Sequence, residues 1–200
     1  MFQEPRALAV ARRCGVLCAC LALVAGCSTR EPLERAGVSL AVPEGWKSVA
    51  ADTWLVPGDP LAAWSGPGGS SLVVFTSLPD PAGKPESLAT AMTIRLENLP
   101  EMNVISSTTE TVAGLPSARV EAVAPGDGAS FAPSGTGVPV ARAGKLVPTR
   151  RIVVTIPRAN DTLTLIWHAP ETKAQTLEAQ VASTLRTLKI DRGRSERSSY

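Results

Sequence analysis

The chain has 200 residues, of which 44% are hydrophobic and 19% are charged. This balance excludes a disordered chain, and the length predicts one domain with appendages, since domains usually hold about 100–200 residues. The formal charge of +2 is informative only once its distribution is known. All four cysteines lie near the start of the chain, at Cys14, Cys18, Cys20 and Cys27. No disulfide is therefore possible beyond Cys27, and the apolar run around the cysteines argues against a metal site.

The first predicted element is an export signal. Arg6, Arg12 and Arg13 form a positively charged start, and the apolar run 14–25 follows them, in the order typical of a secretory signal peptide. A run of about a dozen apolar residues is too short to span a bilayer as a helix. The run ends in Val24–Cys27, with the sequence Val-Ala-Gly-Cys. An ordinary cleaved signal with an incidental cysteine is the alternative interpretation.

The Val-Ala-Gly-Cys segment resembles the lipobox of bacterial lipoproteins. The resemblance implies cleavage between Gly26 and Cys27 and acyl chains on Cys27, which anchor a protein almost permanently because each buried methylene contributes about 0.8 kcal/mol. An aspartate after the cysteine commonly signals inner-membrane retention in Gram-negative lipoproteins. Ser28 therefore implies the outer membrane, facing the periplasm, if the organism has one.

Removal of the signal changes the charge of the chain. Residues 1–26 contain three of the 20 basic and one of the 18 acidic residues, so 17 of each remain. A neutral domain offers no basic footprint for nucleic acid, whose binding depends on phosphate neutralisation. We therefore predict no nucleic-acid partner.

The remaining chain is predicted to begin with a lipidated polar tether over 27–36, which reaches about 30 Å when fully extended. A folded domain is predicted over 37–190. Its first half contains β segments, with the predicted bounds 37–42, 53–56, 61–64 and 71–77. The first segment has the period-two alternation of a half-buried strand and precedes a turn at 43–45. The last is a β-branched and aromatic run typical of an inner strand.

A helix is predicted over 86–98, because apolar residues recur there at helical spacing. The residues that follow this spacing are Leu88, Ala91, Met92, Arg95, Leu96 and Leu99. A hairpin should follow, with strands over 104–112 and 118–123 and a turn at 114–116. Residues 124–148 contain five Gly and four Pro, which predicts a long loop or poorly ordered insertion.

The strongest strand signals come next, at 151–156 and 162–167, and predict an antiparallel pair joined by turn residues. A closing helix is predicted over 172–188, with one apolar stripe consisting of Leu177, Val181, Leu185 and Leu188. The polar residues 191–200 are predicted to form a disordered tail. This order of elements predicts an α+β fold with a central antiparallel sheet.

Three segments resemble the PsbP-like superfamily, which includes DcrB-type and LpqN-type secreted proteins. They are Gly37–Lys47, which contains Pro-Glu-Gly-Trp, then Val112–Ala118 before a strand, and Leu163–Trp167 before the closing helix. The resemblance implies an antiparallel sheet flanked by helices, an α/β/α sandwich, over residues 37–190. It also implies a non-enzymatic accessory, assembly or binding module without shared catalytic residues. The long 124–148 segment departs from the compact family pattern.

Residues typical of catalysis or metal binding are sparse. His168 is the single histidine, and no Gly-x-Ser-x-Gly motif accompanies it, so a plain surface or strand-end histidine is the favoured interpretation. The isolated aspartates, at Asp59, Asp80, Asp127 and Asp161, neighbour turn-forming residues and predict turns. We therefore predict no catalytic residue, no metal site and no cofactor.

Tryptophan supplies half of the eight aromatic side chains. Trp46 and Trp167 are predicted to fill the core. Trp54 and Trp64 have Gly- and Pro-rich surroundings and are candidates for an aromatic groove that binds a lipid, a glycan or a partner segment, with burial in the core as the alternative.

These observations predict a non-enzymatic lipoprotein of the cell envelope, anchored to the membrane through Cys27, whose domain binds a protein partner or supports an envelope complex. The alternative is a periplasmic carrier that holds a lipid or small hydrophobic ligand. A hydrolase would require a pocket that holds His168 together with a serine and a carboxylate.

Overall fold

The computed structural model describes residues 33–51, 58–79, 83–99, 102–124 and 147–191. Several predicted features lie outside these ranges: the signal segment with Gly26 and Cys27, the β segment 53–56 with Trp54, residues 125–146 of the insertion, and the tail after residue 191.

The described residues form nine strands: β1 Val38–Ser39, β2 Lys47–Val49, β3 Asp59–Ser65, β4 Ser71–Ser77, β5 Asn103–Val112, β6 Leu115–Ala124, β7 Thr149–Pro157, β8 Thr162–Pro170 and β9 Lys189–Ile190. They also form two α-helices of more than ten residues, α1 Pro85–Glu97 and α2 Ala174–Thr187, and residues 33–35 are helical. Seven strands make one antiparallel sheet in the order β2-β3-β4-β8-β7-β6-β5, and β1 pairs with β9 in a separate ladder.

The two helices cover opposite faces of this sheet. Ile152 of β7 lies beside Trp167 of β8, and Val153 lies beside Ile166, so these two pairs point to opposite faces. α2 packs in the apolar cluster that contains Trp167, whereas Met92 of α1 packs against the cluster that contains Ile166. We call these the α2 face and the α1 face. The predicted α+β fold, an α/β/α sandwich, is confirmed.

The buried face of α1 contains only some of the residues at the predicted helical spacing, among them Leu88 and Leu96. Ala91 and Arg95 are exposed, whereas Ala89 is buried with Leu88 in one cluster with Ala118 of β6. The small side chain of Ala118 lets the helix approach the sheet closely, and this approach brings Ala89 into contact. The helix itself begins at Pro85, because proline suits the first helical turn, where its missing N–H has no intrahelical partner.

The predicted hairpin is present, but its turn is one residue earlier than predicted. Ala113 and Gly114 have φ values of 51° and 75°, and Val112 pairs with Leu115 across them. Positive φ at both central residues is the type I′ geometry that matches the twist of a hairpin. Pro116, which was predicted to lie in the turn, is a residue of β6.

The folded domain begins earlier than predicted. Leu33 is 6% exposed and belongs to the cluster on the α2 face, so the predicted tether 27–36 overlaps the folded domain from residue 33 onward. The end of the domain returns to the same place, because the amide of Asp191 donates to the carbonyl of Gly37 over 2.8 Å. The short ladder of β1 and β9 joins these two ends.

Packing explains the Pro-Glu-Gly-Trp segment. Gly45 has φ 82°, a conformation that favours glycine, and it turns the chain so that Trp46 reaches the sheet. The indole of Trp46 lies against Gly66, where a Cβ atom would be 2.6 Å from ring atom Cε2. Trp46 is half-buried and packs against the cluster on the α2 face, as predicted for a core residue.

Candidate functional site

Some of the predicted site residues lie outside the described ranges, and the others are buried. Gly26, Cys27 and Trp54 lie outside the described residues. Trp64 of β3 is 6% exposed and belongs to the same apolar cluster as Trp167. This burial favours the core interpretation of Trp64 over a position in an open groove.

Strand β7 instead presents two neighbouring arginines to opposite faces. Arg150 lies on the α2 face and Arg151 on the α1 face, because successive side chains alternate along a strand. Neither residue is among the site residues predicted from the sequence. Both belong to the run Arg-Arg-Ile-Val-Val-Thr-Ile. Side chains alternate between the two faces of a strand, so two successive arginines in a central strand indicate that one arginine points to each face.

Arg150 connects three elements through paired charges. Its guanidinium donates to both carboxylate oxygens of Glu171, with 2.9 Å between Nε and Oε2, and it also contacts Glu121 of β6. The hydrogen bonds from Arg150 lower the pKa of Glu171 against the opposing effect of burial. The same contacts, that to Glu171 foremost, raise the pKa of Arg150. The ion pairs hold β6, β7 and the turn before α2 together.

A second ion pair attaches α2 to the sheet on the same face. Arg119 of β6 donates through Nη2 to Glu178 of α2, at 2.8 Å from Oε1 and 2.6 Å from Oε2. The Glu178 side chain is 42% exposed, against 19% for Arg119. This pair is therefore closer to water than the Arg150 contacts.

Arg151 and His168 form a buried polar pair on the α1 face. They are direct cross-strand partners, with exposed fractions of 1% and 7%. Burial lowers the pKa of Arg151 to about 10. Burial, together with the nearby charge of Arg151, lowers the pKa of His168 to about 3. The imidazole is therefore neutral at physiological pH while Arg151 keeps its charge.

The position of His168 corrects one part of the sequence interpretation. The residue lies near the end of β8, as expected for a strand-end histidine, but it is buried and not on the surface. Ser71 of β4 is its cross-strand partner on the other side. A shallow cleft of about 410 Å³ lies elsewhere, along β1 and β9 between Glu34 and Asp191. That cleft is near the β7–β8 turn, where Arg158 donates to the carbonyl of Ala36, at the opposite end of β8 from His168.

Membrane-spanning helices and metal-binding groups are both absent from the residues that the structure describes. None of the helices there is both long enough and apolar enough to cross a bilayer. No three of the His, Cys, Asp and Glu side chains in that part of the chain come together as a metal-binding group would.

Comparison with known proteins yields structural similarity without sequence similarity. No protein-family model and no curated protein matches the chain. LpqN of Mycobacterium tuberculosis, described as involved in cell envelope biogenesis, is similar in structure, with 16% identity and a TM-score of 0.50 over 76% of this chain and 82% of LpqN.

Two more distant structures cover similar shares of the chain. Cyanobacterial PsbP from Synechocystis sp. PCC 6803 has 9% identity and a TM-score of 0.46, over 78% of this chain and 94% of that one. The Ran-binding protein Mog1p of Saccharomyces cerevisiae has 8% identity and a TM-score of 0.46, over 77% and 90%. At this level of identity, the similarity to LpqN shows a shared fold alone.

Proposed function

We propose that this protein is a non-enzymatic lipoprotein of the cell envelope, anchored through lipidated Cys27, whose PsbP/LpqN-type domain binds a protein partner or supports an envelope complex. The observation that carries the proposal is the segment Val24–Cys27, which follows a basic start and a short apolar run. The involvement of the structurally similar LpqN in cell envelope biogenesis supports the same compartment.

The start of the folded domain fits a short anchor. Leu33 is the sixth residue after Cys27, and six residue steps span about 20 Å in a fully extended chain. Leu33 enters the core on the α2 face, so the anchor holds that side of the domain close to the bilayer. A domain held this way acts on partners at the membrane surface.

A binding role agrees with the chemistry of the described residues. His168, the single histidine, is buried and neutral, and the Arg150 ion pairs join structural elements to each other. Trp64, one of the two groove candidates, lies in the core and does not support the carrier alternative.

Membrane fractionation of the full chain in a bacterial host tests the anchor. We expect Cys27→Ala to move the protein from the membrane fraction to the soluble fraction after a carbonate wash, because the acyl chains have no other attachment point. Cys20→Ala is the matched control, since Cys20 lies in the segment that is removed, and it should leave fractionation unchanged. Retention of the Cys27→Ala protein in washed membranes would overturn the anchor.

Native mass spectrometry of the detergent-extracted protein tests the binding role. We expect masses of the acylated protein and of protein complexes. A small molecule that co-purifies in stoichiometric amount would instead support the carrier function.

A further inference from the structure

The two edge strands of the seven-stranded sheet differ in how well they are protected against pairing with a strand of another molecule. β2, at one edge, has three residues and begins at Lys47. β5, at the other edge, has ten residues and contains no Lys, Arg or Pro. Natural sheets protect their edges with short strands, lysine, proline or bulges, because an open edge pairs readily with another strand. β5 has a bulge between Val104 and Ser106, but the regular residues 106–112 contain a single charged residue, Glu110.

Alternation along β5 determines which backbone groups point outward. Val112 and Leu115 flank the two-residue turn and exchange hydrogen bonds, so the next outward-pointing groups belong to Thr111, Thr109 and Ser107. All three residues are exposed. Within the described part of the chain, their backbone groups make no hydrogen bond to a further element. Together they offer a row of donors and acceptors at the spacing of a strand.

We propose that this edge pairs with the same edge of a second copy of the chain, antiparallel and centred on Thr109. The pairing joins two seven-stranded sheets into one continuous sheet across a two-fold axis. This pairing deepens the proposed function. It rests on the proposed function in one respect, which is that a membrane brings the two copies together.

The β5 sequence is complementary to itself in this register. Ser107 of one copy faces Thr111 of the other, and Thr108 faces Glu110, because pairing around Thr109 makes opposing residue numbers add to a constant. Hydroxyl groups of Thr108 then donate to Glu110 carboxylates twice, once on each side of the axis, and like charges do not face each other. Cross-strand pairs of threonine with serine or threonine stabilise sheets through hydrogen bonds between their hydroxyl groups.

The geometry also suits attachment to one membrane. A two-fold axis perpendicular to the sheet keeps the α2 faces of both copies on the same side, and Leu33 enters the core on that face. Both tethers therefore reach the same bilayer. An edge contact buries less than the ~1,000 Å² typical of a stable dimer in solution, so confinement to a membrane is what raises the local concentration enough for pairing.

Cysteine cross-linking in membranes tests the register, since residues 28–200 contain no other cysteine. In the full chain expressed in bacteria, Thr109→Cys places two thiols on Cα atoms about 5.5 Å apart, within the range of a disulfide. With copper phenanthroline as oxidant, we expect a dimer on non-reducing gels. Thr111→Cys alone should give none, because its two Cα atoms are about 13 Å apart in this register. Co-expressed Ser107→Cys and Thr111→Cys chains should cross-link to each other.

The wild-type chain and Ser183→Cys, which lies on the exposed side of α2, are the controls and should remain monomeric. Absence of the Thr109→Cys dimer from a membrane-bound sample overturns the edge pairing and leaves the anchor intact. A dimer in a sample that fractionates as soluble supports the pairing and contradicts the anchor. A covalent adduct of Thr109→Cys with a different protein, in place of the dimer, overturns the second copy as occupant.

Thr109→Pro separates pairing from folding. The amide of Thr109 points away from β6, so proline removes a donor to the second copy and none to the hairpin. We expect loss of the disulfide between co-expressed Ser107→Cys and Thr111→Cys chains that both carry this change, with an unchanged circular dichroism spectrum. Persistence of that disulfide contradicts the proposed backbone pairing.

Discussion

The two faces of the seven-stranded sheet bury different chemistry, although every strand contributes alternate residues to both. The α2 face buries large apolar side chains in one continuous cluster, including Trp64, Leu165 and Trp167. The α1 face divides its apolar residues among smaller clusters and also buries Arg151 and His168. The comparison shows that equal burial does not mean equal contribution to stability, because polar groups lose hydration that only good partners restore.

The neighbours Arg150 and Arg151 show the same difference within one strand. Arg150 faces two carboxylates, which raise its pKa, whereas the dominant influence on Arg151 is burial, which lowers its pKa to about 10. Ion pairs connect elements on the α2 face, and a buried cation beside a neutral imidazole characterises the α1 face.

Core truncations on the two faces provide the largest expected difference. Leu165→Ala removes atoms from the continuous cluster on the α2 face and should lower the free energy of unfolding by about 4 kcal/mol, whereas Ile166→Ala on the α1 face should cost about 2–3 kcal/mol. Both residues lie in β8 and are at most 3% exposed, so position and burial are matched. Urea unfolding of the two variants measures the costs. Equal costs, or a larger cost for Ile166→Ala, would contradict the assignment of the main core to the α2 face.

The ion pairs of the α2 face should differ according to exposure. Arg150→Met leaves the buried carboxylate of Glu121 without its ion-pair partner and with a 3.5 Å hydrogen bond from Ser106 Oγ. It should lower the free energy of unfolding by about 2–3 kcal/mol, less than the removal of one partner from a fully buried pair. Arg119→Met is the matched control, because Glu178 is 42% exposed, and it should cost about 0.5–1 kcal/mol. Adding Glu121→Gln to Arg150→Met should recover part of the loss, since it removes the orphaned charge. If urea unfolding gives the two arginine variants the same cost, burial is not what distinguishes these pairs.

The sequence predicts those elements whose signal is local. β4 has the predicted bounds, α1 and α2 lie within two residues of the predicted bounds, and the β7–β8 pair follows from two β-branched runs around a turn. The β1–β9 ladder was not predicted, because two-residue strands have no periodicity and pair only when the distant chain ends meet. The early turn was missed because alanine rarely adopts positive φ, and Ala113 does so here.

The candidate site was less predictable than the fold. Arg151 is buried because β7 is a central strand, and its partner His168 follows from a register that only the assembled sheet defines. Trp64 was assigned to Gly- and Pro-rich surroundings, yet the pairing of β3 with β4 places it in the core. Local composition predicts the loops around a residue, but it does not predict the face of the sheet to which the side chain points.

The pH dependence of stability distinguishes the α1 face from the α2 face. The pKa of His168 is about 3 in the folded protein, against an ordinary value of 6.5, so the unfolded chain binds a proton more readily. Stability from this residue is therefore complete above the ordinary pKa and is lost as pH falls, by about 2 kcal/mol between pH 7 and pH 5. The pKa of Glu171 is lowered from 4.5, so the stability that its carboxylate contributes is lost below pH 5 and not between pH 7 and pH 5. We expect urea unfolding to show the decrease in the wild-type protein and not in His168→Gln. A variant that keeps the full decrease would show that another group titrates there.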